Sequence, residues 1–499
     1  MTRGSEKFKI RQTPGLGYRL LRAYADKAFL ASYSRIQYVG LENIPENCAL
    51  IFAPNHTNGL MDPLVAMSLG KPLAPMIFAA RADMFRIPLL REILLSLYVT
   101  PVMRVRDGFS HLEENVGIMD AVSDRLCDGI PYCIMAEGTQ RDKHSLLPLR
   151  KGIFRVALMA DDKLSGRMPV FIVPVGIEYG SYYRYRTSIL VNVGKPMNVS
   201  EFRKSNKDLT QPALMNAMRD ELTSKMKALY LSLDDDADYD GVLEVCRIVS
   251  EDRLLSAGRS AGLQGSRLKN AVVDGKFSLY DRMREDCLVA GTLYALRDSG
   301  DVAKQTEYSE LVRLGKEAAD RRVRAHISAA SYAGAGDFRL GFMNCRALSG
   351  VRRTAVMVLT FPYWLFSVAV TSPVLLAVEL LCRVQEDHAF FISLRYAVAA
   401  FTLPLLWCIY AAVLFTQLPG HLWWLCSLLL LLFCPAYTFA HDWFKAARLS
   451  VSDIRFRRDR QLRDIAAEVR RLTSATPIRG ISRPGAVPSG LFRAPLGEG

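Results

Sequence analysis

The sequence predicts an α/β fold, with helices packed on a sheet, followed by a helical extension and C-terminal transmembrane helices. Three observations predict it. Short apolar runs alternate with helical text from residue 36 to about 198. Charged helical text without strand signals follows over 199–353. Three long uncharged runs then dominate the last third: 355–378 carries no charge over 24 residues, 396–415 none over 20, and 422–440 none over 19. About 20 apolar residues cross a bilayer core as a helix.

The first 35 residues contain an amphipathic helix: Leu20, Ala23, Tyr24, Ala28 and Ala31 recur at helical spacing, with Arg19, Arg22 and Lys27 on other faces. Two readings fit it, a domain-capping helix or a helix lying in a membrane surface. MTRGSEKFKIRQTPG has no apolar core, so no secretory signal is expected.

Strands are expected at 36–39, 49–53, 76–79, 98–102, 132–136, 170–177 and 189–193, and helices at 62–69, 84–97, 111–127 and 152–160. Segment 84–97 is apolar on most faces, which fits a core helix, or else an acyl-chain channel or membrane contact. In 170–177, Pro174 interrupts the run and points to an edge or a bulge. Helical text continues at 208–233 and 311–330, with no repeat period.

For the apolar runs, the tail 442–499 holds 12 Lys+Arg against 6 Asp+Glu, and Arg352 and Arg353 precede the first run. The positive-inside rule places both on the cytosolic side, requiring an even number of crossings. Pro362 and Pro373 favour a bent or re-entrant first element. The expected topology is one re-entrant or interfacial segment (354–381) and a two-pass hairpin (396–415 and 422–440). Three full passes is the alternative. The tail 441–499 reads as basic and, beyond Thr473, disordered.

Composition excludes several classes. The chain of 499 residues is 50% hydrophobic and 23% charged, which is not a disordered composition. The net charge of +14 suits phosphates or an acidic membrane surface. Ten Cys residues form no CxxC pair and seven His are scattered, so no zinc module, disulfide framework or metal site is expected. There is no RNA-binding signature, so no nucleic-acid partner is expected.

Four segments carry chemistry. Ile51-Phe-Ala-Pro-Asn-His-Thr-Asn-Gly-Leu-Met-Asp62 displays His56 at a strand-to-helix turn, with Asn55 before it. A neutral His takes a proton from an alcohol when a carboxylate fixes its tautomer, and Asp62 is the obvious partner. Six residues on an unbroken helix rotate about 600°, leaving the two side chains roughly 240° apart. Asn58 and Gly59 supply the residues that would break it. The second segment, Pro101-Val-Met-Arg-Val-Arg106, puts Arg104 after a strand. The third, Glu137-Gly138-Thr139-Gln140-Arg141, follows another strand end with a hydroxyl and a guanidinium suited to phosphate. The fourth is the apolar Phe171-Ile-Val-Pro-Val-Gly176.

In this order the four blocks resemble the phospholipid/glycerol acyltransferase superfamily, over roughly residues 36–198. The resemblance implies an acyltransferase domain with a mixed sheet flanked by helices. It departs in two places: five residues separate His56 from Asp62 instead of four, and Gln140 displaces Arg141 by one position. The longer gap, Leu146-Leu-Pro-Leu-Arg-Lys-Gly152 and the trailing membrane segments look like the fungal-type branch, which acylates glycerol 3-phosphate and dihydroxyacetone phosphate at the first carbon.

The resemblance assigns His56 as general base and Asp62 as its orienting carboxylate. Asn55, Arg104, Glu137, Gly138, Thr139 and Arg141 would shape the substrate pocket. It implies no cofactor; acyl-CoA or acyl carrier protein is the thioester co-substrate, glycerol 3-phosphate or a related phosphate the acceptor, and the lipid bilayer a partner. The catalytic domain would face the cytosol. A lysophosphatidate or other lysolipid acceptor is the alternative, and a catalytically silent membrane scaffold a third reading. Cys48 and Cys133 sit in no nucleophile motif and read as packed thiols. Tyr182-Tyr-Arg-Tyr-Arg186 suits either a lipid headgroup or a plain solvated hairpin.

Overall fold

The computed structural model describes residues 14–102, 112–260, 278–333 and 350–475. The alternating text of the first half folds as one mixed eight-stranded sheet, in the order β1 (Tyr33–Val39), β7 (Thr187–Val193), β6 (Val170–Tyr179), β2 (Ala49–Pro54), β5 (Tyr132–Cys133), β3 (Ile77–Arg81) and β4 (Val99–Val102), with β8 (Met197–Asn198) pairing β6. β2 runs parallel to both β6 and β5, and β3 parallel to β5 and β4. β7 and β8 run antiparallel to β6.

Both faces of the sheet are covered, which is why its strands read as near-continuous apolar runs. Ile51, Ala53, Val170 and Ile172 enter one core, against α4 (Leu112–Cys127), α5 (Gly152–Leu164), Val199 of α6 (Val199–Ser205) and the Leu214–Leu222–Met226 stripe of α7 (Gln211–Lys227). Phe52, Val173, Val175, Ile177 and Tyr179 enter the other, against Phe29 of α1 (Leu16–Ser32) and Met61 and Val65 of α2 (Met61–Leu69).

Pro174 lies in the interior of the sheet rather than on an edge strand, in register with Ala53. Its carbonyl accepts from Gly194 N (2.9 Å), in the gap where β7 has ended and β8 not begun, so no neighbouring strand asks for the missing N–H. The 132–136 run is a strand only at Tyr132–Cys133. The 84–97 segment is a 3-10 turn (Ala82–Arg86) and α3 (Pro88–Ser96); Met84, Ile87 and Ile93 are exposed, so it is not a core helix.

The helical extension has its own core. α8 (Tyr239–Ser260), α9 (Leu279–Arg297) and α10 (Val302–Arg324) pack together, and Leu462, Ile465, Ala466 and Val469 of α15 (Arg460–Ala475) complete that core from the tail. Gly262, Gly265 and residues 476–499 lie outside the described residues.

Among the described residues, two helices are long and apolar enough to cross a membrane: Thr354–Val384, within α11 (Gly350–Val384), and α12 (Phe391–Gln417). A third span results only if α13 (Trp423–Phe433) and α14 (Ala436–Arg458) count together; the stretches Gly420–Phe433 and Ala436–Arg458 are bent by 49°.

The expected re-entrant first run is corrected here: it is one continuous helix, and the break falls in the third run, at Cys434–Pro435. The physical reason is carbonyl satisfaction. Pro373 leaves the Ala369 carbonyl without its helical donor, and Ser372 Oγ supplies one (2.8 Å). Pro404 in α12 likewise frees the Ala400 carbonyl, which accepts from Tyr24 of α1. At the broken third run, the Leu430 and Leu432 carbonyls take donors from Trp407 Nε1 (3.3 Å) and Tyr363 OH (2.8 Å) on neighbouring helices. α1 thus caps the α/β domain and braces a membrane helix at once.

Candidate active site

The parallel pairing of β2 with β5, Ile51 opposite Tyr132 and Phe52 opposite Cys133, sends both chains out of the same sheet edge. Ligand crevices in open parallel sheets form at that edge. The turn after β2 carries His56, and the turn after β5 carries Glu137.

Residues 55–60 are not helical, so the chain doubles back and Asp62, at the start of α2, meets what precedes it. Asp62 is completely buried. Its Oδ2 accepts from His56 Nδ1 (2.9 Å), Thr57 N (2.8 Å) and Asn58 N (2.7 Å). Its Oδ1 accepts from Tyr179 OH (2.6 Å). Four donors on one carboxylate fix its position and orientation. They also hold the imidazole with Nδ1 protonated, leaving Nε2 as the basic nitrogen on a ring that keeps 18% exposure.

Glu137 is also buried, and it staples this turn to its own. Oε1 accepts from His56 N (2.7 Å) and Oε2 from Leu147 N (2.8 Å), while Arg141 N donates to the His56 carbonyl (3.1 Å). Burial pushes the Glu137 carboxyl up to about 7, against the pull of these two amide bonds. Gly138 has a φ of +72°, and a side chain there would meet Arg150 Cγ at 3.2 Å.

The sequence-derived residues divide three ways. His56, Asp62 and Glu137 come together. Asn55 is buried, but its amide is consumed by β6: Oδ1 accepts from Ile177 N (2.7 Å) and Nδ2 donates to Ile177 O (3.1 Å). It continues the β2–β6 ladder past the strand end and is not directed at a ligand. Gly138 and Thr139 are exposed beside the turn. The Arg141 guanidinium pairs with Asp235, which Lys143 also contacts (2.7 Å). Arg141, Ser145, Leu147, Lys227 and Asp235 line a cleft of about 370 Å³. Strand β4 ends at this same edge, but Arg104 lies outside the described residues. A second cleft, about 710 Å³, is lined by Arg321, Arg455, Arg458 and Asp459, none of which reaches the His56 turn.

Cys48 and Cys133 are both buried. Burial pushes the Cys48 thiol up to about 11 and the Cys133 thiol well above its ordinary value, so neither is a ready nucleophile. Among the described residues no group of three His, Cys, Asp or Glu is placed to hold a metal ion.

Two partners of the site were not foreseen. Tyr179 shares the alternating face of Val175 and Ile177, a period-2 signal that placed it over α2. Ser393, at the start of α12, carries no such signal. Its hydroxyl accepts from Leu60 N (2.9 Å) and donates to Asn58 Oδ1 (2.9 Å). Phe390 packs on Gly59, where a Cβ would stand 2.8 Å from its ring, and Gln140 Nε2 donates to Asp387 (3.2 Å). The longer His56–Asp62 loop is thus the part of the site that touches the membrane helices.

Residues 35–178 match the family model described as Acyltransferase. No curated protein matches the chain. Among solved structures, the 1-acyl-sn-glycerophosphate (LPA) acyltransferase PlsC from Thermotoga maritima is similar at 19% identity and a TM-score of 0.31, over 42% of this chain and 79% of that one. The segment that carries His56, Asp62 and Glu137 is an acyltransferase domain.

Proposed function

We propose that this protein is a membrane-bound O-acyltransferase that moves a fatty acyl group from acyl-CoA or acyl carrier protein to the first-carbon hydroxyl of glycerol 3-phosphate, or to the free primary hydroxyl of dihydroxyacetone phosphate. The observation that carries the reading is the buried Asp62 carboxylate 2.9 Å from His56 Nδ1, inside a family-matched acyltransferase segment. His56 Nε2 takes the hydroxyl proton as the oxygen attacks the thioester carbonyl. The C–O bond forms, the C–S bond breaks, and the thiolate leaves with the proton returned by the imidazolium. Asp62 stabilises that transient cation. Glu137, with both oxygens on backbone N–H groups, positions the His56 turn.

The reading of a smaller acceptor rests on the resemblance to the fungal-type branch in the longer His56–Asp62 gap and in Leu146-Leu-Pro-Leu-Arg150. A lysophosphatidate acceptor uses the same chemistry. We place the domain on the cytosolic face from the basic tail. The test offers glycerol 3-phosphate, dihydroxyacetone phosphate and lysophosphatidate together to protein in membranes with radiolabelled acyl-CoA. Label in lysophosphatidate or acyl-dihydroxyacetone phosphate supports the proposal; label only in phosphatidate transfers it to the lysolipid acceptor. No transfer to any acceptor, with either donor, ends it.

A further inference from the structure

Away from the His56 turn, the 181–186 connection between β6 and β7 meets the start of α12 and the first half of α14, and the three bring an excess of cations together. Arg186 is satisfied: it is buried in a bidentate pair with Asp442 (2.9 Å to each oxygen), and its remaining donors go to the Ala31 and Tyr33 carbonyls. Lys445 Nζ lies on the Arg186 carbonyl (3.3 Å). Asp442 is thereby used up.

Three further guanidiniums have no carboxylate at ion-pair distance among the described residues: Arg184, Arg395 and Arg448. Arg395 gives one long bond to the Tyr183 carbonyl (3.4 Å), and its buried Nε has no partner. His441 is packed between the rings of Tyr185 (4.9 Å) and Tyr437 (4.7 Å); its Nε2 is closed off and also without a partner. The charges acting on His441 are those of Arg395, Arg186 and Arg448, all positive. Arg184 keeps an exposed surface, yet partial desolvation and the Arg448 charge hold it below its ordinary pKa, as expected for like charges.

The place of this cluster identifies what would neutralise it. Arg395 is the single charged residue of α12, at the fifth position of a 27-residue helix, so it marks the level at which that helix leaves hydrocarbon. Trp443, next to Asp442, stacks on Trp364 at 4.4 Å, an aromatic pair of the kind that settles at the headgroup level. Cations at that level recognise lipid phosphate.

We propose that Arg184, Arg395 and Arg448 form a site for the phosphate of an anionic bilayer phospholipid, seated between the 181–186 connection, α12 and α14. Among the described residues none of the three arginines is hydrogen-bonded to or paired with His56, Asp62 or Glu137. The site would fix the domain against the bilayer by a bound lipid, and it stands or falls independently of the acceptor.

The experiment is native mass spectrometry of the full chain in detergent, loaded with equal amounts of phosphatidylglycerol and phosphatidylcholine. Each cation at an anionic surface contributes on the order of a fivefold preference. Wild type should therefore prefer phosphatidylglycerol by about 100-fold, and Arg184→Gln with Arg448→Gln, both at exposed positions, should reduce that preference by about 30-fold. Arg395→Gln should lower it too; if that variant unfolds, the exposed pair still decides. Arg219→Gln with Arg313→Gln, on α7 and α10 and outside this cluster, should leave it unchanged. Equal retention of both lipids by wild type, or an unchanged preference in the exposed pair, overturns the site. Displacement of the lipid by millimolar inorganic phosphate would make the ligand a free anion and overturn the lipid assignment.

Discussion

Replacing Asp62 by Asn separates the charge of the His56 partner from its shape. In the turn, Oδ2 of Asp62 faces three N–H donors and Oδ1 faces the Tyr179 hydroxyl. An Asn amide fits this pattern in one orientation only. Its carbonyl must take the place of Oδ2, or its NH2 would oppose two backbone N–H groups; the NH2 then donates to the Tyr179 oxygen. The imidazole keeps its tautomer and loses only the negative charge. At the observed 2.9 Å, Coulomb's law with an effective dielectric constant of about 20 gives roughly 6 kcal/mol for the imidazolium–carboxylate attraction. That is a ceiling of about 10⁴-fold in rate, which the partial exposure of the ring reduces. The expected fall in kcat is therefore about 10²- to 10⁴-fold, with a stability loss of only about 1 kcal/mol. Asp62→Ala, by contrast, orphans two buried backbone N–H groups at about 1–3 kcal/mol each and should loosen the turn as well. The assay follows thiol release from acyl-CoA with acceptor present, beside a thermal melt. A well-folded Asp62→Asn variant that turns over within a few-fold of wild type would refute a general-base role for His56.

Four further outcomes are expected. The Glu137 carboxyl sits at about 7 in the fold against an ordinary 4.5, so the folded state favours its protonated form; its contribution is complete below about 4.5 and disappears as pH rises through about 7, a change of about 3 kcal/mol. Chemical denaturation of wild type and Glu137→Gln across that window should show a flatter pH dependence in the variant, and parallel curves would contradict it. Ser393→Ala strips the acceptor from Leu60 N and should lower kcat several-fold, while Ser393→Thr, which keeps the hydroxyl, should restore most of it; equal activity in both would mean α12 does not steady the turn. Gly315→Ala places a Cβ 2.3 Å from the Gly241 carbonyl where α10 crosses α8, so a loss of about 1–3 kcal/mol is expected with kcat per folded molecule unchanged. Asp442→Ala strands the buried Arg186 guanidinium and should cost about 3–5 kcal/mol, read as a drop in Tm.

Much of the architecture was legible because it depends on local patterning. The strands at β1, β2, β3, β4, β6 and β7 and the helices α2, α4 and α5 follow the alternation of apolar runs with helical text, within a few residues. Asn58 and Gly59 correctly foretold that the chain breaks between His56 and Asp62, since no continuous helix could bring them together. Pro373 misled for the same reason that made it informative. A proline reports a missing local bond, but not whether a side chain such as Ser372 stands ready to replace it. Asn55 was grouped with the substrate contacts because its neighbours are there; only the register of β6 reveals that Ile177 takes both ends of its amide.

The order of residues by itself determined an α/β domain, a helical extension, long apolar helices, and the pairing of an imidazole with a carboxylate. These depend on periodicity and on turn chemistry, which act over a few positions. Which elements meet was decided by tertiary structure alone. Tyr179 reaches Asp62 across 117 positions, Ser393 reaches Asn58 across 335, and Arg186 reaches Asp442 across 256. Contacts of that separation follow from strand order and helix docking, because a buried polar group takes whichever partner the fold brings within reach.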